Sequence, residues 1–366
     1  GAGARGGDEA EEEVDEFAAF RDNKLNVPRV LYCLGAVSRV NNVLQNYYLN
    51  PFLLDIVGLK ASYTGNVQLI NQLVNAATDP LVGYLSDRMP GPFGRRKPFI
   101  FLSTPILWAT WILLWLQFSG VSDQGALFAY YAIILIVLNT AVTCQMVPYR
   151  ALLQDAAPTY GIRTRMVALQ EMVAMLAFML AVFVHGVIVE SFKYDNGSTN
   201  YQLGYLVSAL IFAPIIAFPR IGTAAVIKER PLDVDELEDL KGNKVGSDGE
   251  VRKRSMLESV VAFLEIWWCA IRFKDFSLLS VAWFMANLVM SIVTANIILY
   301  VKYYLGEDSN GTLVVVVLQA GIAFSLPLWA GIIRKIGKKN SLFAGCGSMT
   351  VILVGLFFLK EGDFTI

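Results

Sequence analysis

The chain has little that does covalent chemistry. Its 366 residues hold one histidine, His185, and four cysteines, Cys33, Cys144, Cys269 and Cys346, none in a close pair. That excludes a disulfide framework and a zinc site of ordinary ligand spacing. It also argues against a membrane-embedded enzyme, which needs nucleophiles or metal ligands clustered at one depth. Charge of a single sign is missing as well. The net charge is −1, so no bulk field draws nucleic acid. Residues 1–24 are Gly-rich and then acidic, without the apolar core of a signal peptide, and read as a disordered cytosolic tail. Beyond that tail, long polar stretches are scarce; the exception is 226–275.

What the chain has in abundance is apolar sequence. Hydrophobic residues make up 55% and the mean hydropathy is +0.50, well above a soluble globular domain. Runs of roughly 20 residues, enough to cross a bilayer, predict nine spans near 28–58, 62–86, 97–118, 125–153, 165–190, 201–225, 276–303, 311–334 and 340–360. One set of connecting loops carries Arg88, Arg95, Arg96 and Lys97, then Arg150, Arg163 and Arg165, then Arg334, Lys335, Lys338 and Lys339. The opposite set carries only Lys60, Lys193, Lys302 and Lys360. This bias places the N-terminus in the cytosol. The sequons Asn196-Gly197-Ser198 and Asn310-Gly311-Thr312 both fall in loops assigned to the other side.

Within span two a polar stripe reads Gln68, Asn71, Gln72, Asn75, Thr78 and Asp79, in steps of three and four residues. A bare carboxylate in lipid costs several kcal/mol, so the stripe must face other helices or a watery cavity. A rise of ~1.5 Å per residue places Asp79, Gln145 and Glu171 ~12 Å, and Arg39 ~16 Å, from the cytosolic ends of their spans. Four polar groups thus share one level near the bilayer centre, where secondary transporters keep their sites. Arg39 stays protonated and needs a counter-charge, for which Asp79 is the expected partner. Asn42, Asn46 and Asn50 lie on the same face as Arg39. The pair reads either as a switch, loosened by a cation or proton at Asp79 so that Arg39 receives an anionic or zwitterionic group, or as a permanent tie between spans. Glu171 reads as a substrate or cation contact, or as the partner of Arg163 or Arg165. Gln145 and Thr143 read as cation ligands or as interhelical glue. His185 reads as a packing residue rather than a proton relay. Asp87, Arg88, Arg95 and Arg96 are expected to clamp a gate on the cytosolic side.

The stretch 226–275 starts acidic, turns basic at Arg252-Lys253-Arg254, then places Leu257, Val260, Val261, Leu264, Trp267, Trp268 and Ile271 at helical spacing. An amphipathic helix follows, lying on the leaflet or packed under the bundle. Gly83 to Arg88 with Arg95-Arg96-Lys97, after span two, matches Gly331 to Lys339, after span eight. Such recurrence six spans apart marks a parallel repeat of two six-helix halves. The expected organisation is a tail over 1–27, a six-helix bundle over 28–225, a linker over 226–275 and an incomplete three-helix bundle over 276–366. With Gly1 in place of a start Met, a fragment or truncated gene model is expected.

Asn75 to Gly83, Phe93 to Pro98 and Val147-Pro148-Tyr149 resemble the motifs of the major facilitator superfamily, and within it the glycoside–pentoside–hexuronide:cation symporters, the melibiose permease-like family. Val142-Thr143-Cys144 before Val147 to Leu152, and Pro327-Leu328-Trp329 leading to Ile336 to Lys339, most resemble the sodium-dependent lysophosphatidylcholine symporters. The loop from Asp87 to Ile100 is also similar to plant-type sucrose transporters. The resemblance implies an all-α polytopic membrane protein of the major facilitator fold, carrying spans one to nine of twelve. It implies a cation site at Asp79, with Asn75 where the family has a second acid and Thr143 matching a threonine of span four; Gln145 is grouped with them. Val40 stands where a sugar-gripping Asp is found and Met146 where melibiose permease has a carboxylate, which argues against galactosides; Thr294 stands where the lysophospholipid symporters have an acid in span seven. Substrate contacts are assigned to Arg39, Asn42, Asn46, Tyr149 and Glu171.

The function so implied is cation-coupled symport by alternating access of a lysophospholipid-like amphiphile. Alternatives are a sugar symporter, with Tyr47, Tyr48 or Tyr149 stacking on a pyranose, or a non-transporting truncated pseudo-transporter. No cofactor is expected beyond sodium or a proton as coupling ion. The expected partners are a small-molecule substrate and membrane lipid, with no nucleic acid, and the chain is expected to be monomeric.

Overall fold

A backbone surrounded by hydrocarbon has to satisfy its own hydrogen bonds, so apolar runs of this length fold as helices. The computed structural model describes residues 25–88, 94–118, 120–121, 123–157, 159–192, 201–227, 229, 243–245, 251–253, 268–269, 271–304 and 311–358. Each predicted run is helical there. Span one is broken into Val27–Leu34, a 3-10 turn Gly35–Arg39, Val40–Pro51 and a π turn Phe52–Ile56. Spans two to five are Ala61–Arg88, Lys97–Leu114, Gln124–Ala156 and Tyr160–Ser191. Span six is Tyr201–Ala217 continued by Pro219–Val226, and span seven is Lys274–Leu299 closed by the π turn Tyr300–Tyr304.

Side-chain caps start several of these helices. Asn26 accepts from the Arg29 amide at 3.2 Å, and Asp123 accepts from the Gly125 amide at 3.0 Å, each satisfying an N–H that the helix itself leaves open.

Two expectations change. Spans eight and nine run on as Gly311–Phe358, and the basic loop expected between them is a break at Gly337, whose φ of 79° suits a residue without Cβ. The linker contributes an antiparallel pair, Asn243–Val245 with Val251–Lys253, to an otherwise all-α fold. The amphipathic helix of 257–271 lies outside the described residues, apart from 268–269 and 271, as do both sequon asparagines.

Span two packs on four, four on three, three on six, six on five, and five on one; span seven packs on one. Away from the basic loops the interior is aromatic: the Phe52 ring lies 5.1 Å from Trp115, and Trp115 stacks on Tyr205 at 5.5 Å. His185 belongs to this knot, 2% exposed, with Nδ1 2.6 Å from Ser208 Oγ. Outward, Leu102, Ile133, Leu180 and Phe183 are exposed, an apolar surface suited to lipid. Among the described residues five helices are long and apolar enough to cross a membrane. The amides of span two dilute its apolarity, which is why it needs neighbours rather than lipid on its polar side.

Span one bends where it meets spans four and six. A Cβ on Gly35 would stand 2.8 Å from both the Tyr149 ring and the Thr223 methyl. Gly35→Ala is therefore expected to destabilise by about 1–3 kcal/mol, as overpacking of a tight core does. Thermal unfolding of the purified protein measures it; an unchanged midpoint would show that the three helices separate freely.

Candidate functional site

Arg39, at the end of the 3-10 turn, bonds through Nη1 to Glu171 Oε1 of span five at 2.6 Å, with side chains 25% and 46% exposed. The guanidinium lies 5.8 Å over the Phe178 ring. Asp79 instead accepts a hydrogen bond from Thr143 Oγ1 at 2.8 Å. The expected Arg39–Asp79 pair is thus corrected. Span five, not span two, packs on the 3-10 turn, so Glu171 is the carboxylate within reach. Nor does Glu171 need Arg163, whose Nη2 donates to the Ala157 carbonyl at 3.3 Å. Arg150 of span four lines one small compartment together with Arg39 and Glu171. Read in the sequence as a loop charge, it stands inside span four.

Gln145 is also corrected. It is 0% exposed; Nε2 donates to Thr104 Oγ1 at 2.7 Å and the Ala217 carbonyl at 3.1 Å, and Oε1 accepts from Arg220 Nη1 at 3.2 Å. Two residues on an α-helix differ by ~200° in direction, so Thr143 and Gln145 cannot both face Asp79. Tyr149 is tied up too. Its hydroxyl donates to the Tyr32 carbonyl at 2.8 Å and accepts from Gln170 Nε2 at 2.7 Å, and its ring stacks on Tyr32 at 4.6 Å.

The polar stripe borders a cavity of about 590 Å³ lined by Asn42, Gln45 and Asn46 of span one, Gln68, Gln72 and Asn75 of span two, and Ser291 and Asn296 of span seven. Asn71 accepts from Asn139 Nδ2 at 2.8 Å, Gln68 donates to Asn50 at 3.2 Å, and Asn50 donates to the Ala295 carbonyl at 3.2 Å. These bonds fix the walls. Asn75 Oδ1 is buried and has no hydrogen-bond partner among the described residues, one turn before Asp79.

On the basic side Arg96 reaches Asp87 Oδ1 through Nη2 at 2.9 Å and Asp155 Oδ2 through Nη1 at 2.9 Å. Arg95 takes part through its backbone: its N–H donates to Glu229 Oε2 at 2.8 Å, while the Lys97 N–H donates to Glu229 Oε1 at 3.1 Å. Glu229 so caps the N-terminus of span three, where the helix dipole favours an anion. Arg88 ends span two. Asp155 and Glu229 were missed in the sequence.

On the opposite side, Asp55 of the π turn holds Lys302 Nζ at 2.7 Å and the Tyr303 hydroxyl at 2.7 Å, tying span one to span seven. Sequence reasoning missed this latch, although Pro51 before a lone acid marks an irregular turn. Charge-assisted bonds of this kind contribute about 1.5–3 kcal/mol. Asp55→Asn is expected to shift the populations of closed and open outer ends about tenfold or more. Spin-label distances between the outer ends of spans one and seven check it; an unchanged distribution would remove Asp55 from gating.

The fold and these amides and charges gathered between apolar helices define a polytopic membrane protein of the major facilitator type. A family model described as MFS/sugar transport protein matches residues 33–366, and the chain belongs to that family. It is similar to the sodium-dependent lysophosphatidylcholine symporter 1-B of Danio rerio, 26% identical over 351 residues, covering 89% of this chain and 63% of that protein. The Gallus gallus sodium-dependent lysophosphatidylcholine symporter 1 is 22% identical over 348 residues, covering 89% and 63%. A sphingosine-1-phosphate transporter of Mus musculus is 23% identical over 347 residues, covering 89% and 65%. The chain thus spans about 63% of the length of the first of these relatives.

Proposed function

We propose that this chain works as a cation-coupled symporter of a single-chain phospholipid, by alternating access, with its N-terminus in the cytosol. Residues 28–225 form one bundle, 226–275 link it, and 276–366 belong to a second. The observation that carries the reading is Asp79: an intramembrane carboxylate held by one hydroxyl, Thr143 at 2.8 Å, next to an amide-lined cavity. Asp79, Thr143 and the unpaired Asn75 Oδ1 offer a charged and two neutral oxygens, the hard donors that suit sodium as co-transported cargo. Arg39 with Glu171, and Asn42 and Asn46, face the substrate's headgroup. The relatives' names supply the substrate class.

Proteoliposomes carrying the chain should accumulate radiolabelled lysophosphatidylcholine when sodium is outside and lose that gradient dependence in choline. No uptake with or without sodium would sink the reading. A sugar is the second reading, favoured by the amide-lined cavity, which suits hydroxyl groups; sodium-dependent uptake of sucrose and not of the lipid would establish it.

A further inference from the structure

Between spans one, four, five and six lies a compartment of about 60 Å³ lined by Arg39 and Glu171, already placed at the headgroup, and by two further arginines that the symport reading leaves unused. That is room for about two waters at ~30 Å³ each, or one small anion. Its walls carry guanidinium groups from three helices: Arg39 of span one, Arg150 of span four and Arg220 of span six. Arg220 is 1% exposed; one nitrogen meets Gln145, the group lies 5.8 Å over the Tyr149 ring, and its Nε finds no partner among the described residues. Arg39 has its single carboxylate partner in Glu171, and its own Nε is likewise buried and unpaired. Arg150 lines the same compartment, is itself exposed, and makes no ion pair among the described residues.

The charge does not balance. Three arginines and one carboxylate, Glu171, line the compartment, which leaves an excess positive charge among its lining residues. The cost of an unpaired guanidinium in a low-dielectric interior falls on Arg220, which is buried and bonds to a neutral amide rather than a carboxylate, so the arrangement calls for an anion. The planar forks of arginine match oxyanions. Donors converging from three helices suit a tetrahedral oxyanion better than a carboxylate, which offers two oxygens.

We propose that Arg39, Arg150 and Arg220 form an oxyanion site that takes the phosphate group of a single-chain phospholipid. The anion site stands on its own geometry; only its place on a transport route rests on the symport reading. Binding of labelled lysophosphatidic acid to the purified full chain in detergent tests it, with inorganic phosphate and a monoacylglycerol of the same chain as competitors. The lipid is expected to bind, phosphate to compete and monoacylglycerol to fail. Arg150→Gln should weaken binding about ten- to hundredfold, the loss of charge-assisted hydrogen bonds. Arg150→Lys should recover part of it, with both variants eluting as wild type on size exclusion. Arg220→Gln, if it stays folded, should behave as Arg150→Gln does. Unchanged affinity in Arg150→Gln, or monoacylglycerol competing as well as the phospholipid, would overturn the site. Phosphate that binds but is not displaced by the lipid would overturn the lipid source. Intact lipid binding in a chain that shows no sodium-driven uptake would leave the site standing and remove the symport reading.

Discussion

Asp79→Asn is expected to bring sodium-driven accumulation of lysophosphatidylcholine down to that of empty vesicles, with insertion into the membrane unchanged. The amide keeps the shape of the carboxylate and one oxygen that still accepts from Thr143, so the bond at 2.8 Å between spans two and four survives. What disappears is the formal charge. A cation leaving water needs strong oxygen donors to replace its hydration, and without the negative charge the remaining hydroxyl and amide oxygens are weak. Charge-assisted contacts of this kind contribute about 1.5–3 kcal/mol, a loss of about ten- to hundredfold in sodium affinity. Thr143→Val separates charge from geometry: it keeps the carboxylate, removes one oxygen, and should raise the sodium concentration for half-maximal uptake about tenfold. Thr143→Ser should transport as wild type. The order of the three variants is the test. Unchanged sodium dependence in Asp79→Asn would take this carboxylate out of the coupling site.

The helices were legible because lipid leaves an apolar run few alternatives, and the stripe from Gln68 to Asp79 was legible because helical spacing is rigid. Partner choice was not. Counting residues from a helix end gives depth but not direction, so Arg39, Asp79, Gln145 and Glu171 share a level without sharing contacts. Arg39 met Glu171 because span five packs against its turn. Gln145 pointed the opposite way from Thr143, toward Arg220. Arg150 and Arg220 were hidden for other reasons. Arg150 sits near the basic end of its run and was counted as a loop charge, yet helix four continues to Ala156 and carries it; Arg220 lies within span six and was given no role, although it is buried there. Glu229 was invisible because its partners are backbone N–H groups, which leave no trace in side-chain patterns.

Arg96→Met should lower the stability of the purified protein by about 3–5 kcal/mol, the cost of stranding buried counter-charges. The Arg96 and Asp155 side chains are 9% and 8% exposed, and the guanidinium also donates to the Ala151 carbonyl at 3.2 Å. Asp87 is 51% exposed, so solvent screens its share, and Asp87→Asn should cost at most about 1 kcal/mol. Arg96→Lys keeps the charge but not the fork that spans two carboxylates, and should fall between. The double variant Arg96→Met with Asp155→Leu should cost less than the sum of its parts, because it removes the stranded charge along with its partner. These thermal measurements also decide what the clamp is for. Among the described residues its partners all lie between Asp87 and Glu229, so it ties spans two, three and four to the start of the linker and not to span seven or beyond. A gate between halves would shift the spin-label distance between spans one and seven when Arg96 is removed. A brace within one half would lower the melting temperature and leave that distance where it is. The bonding pattern calls for the second result; a shift in the distance would restore Arg96 to the gate.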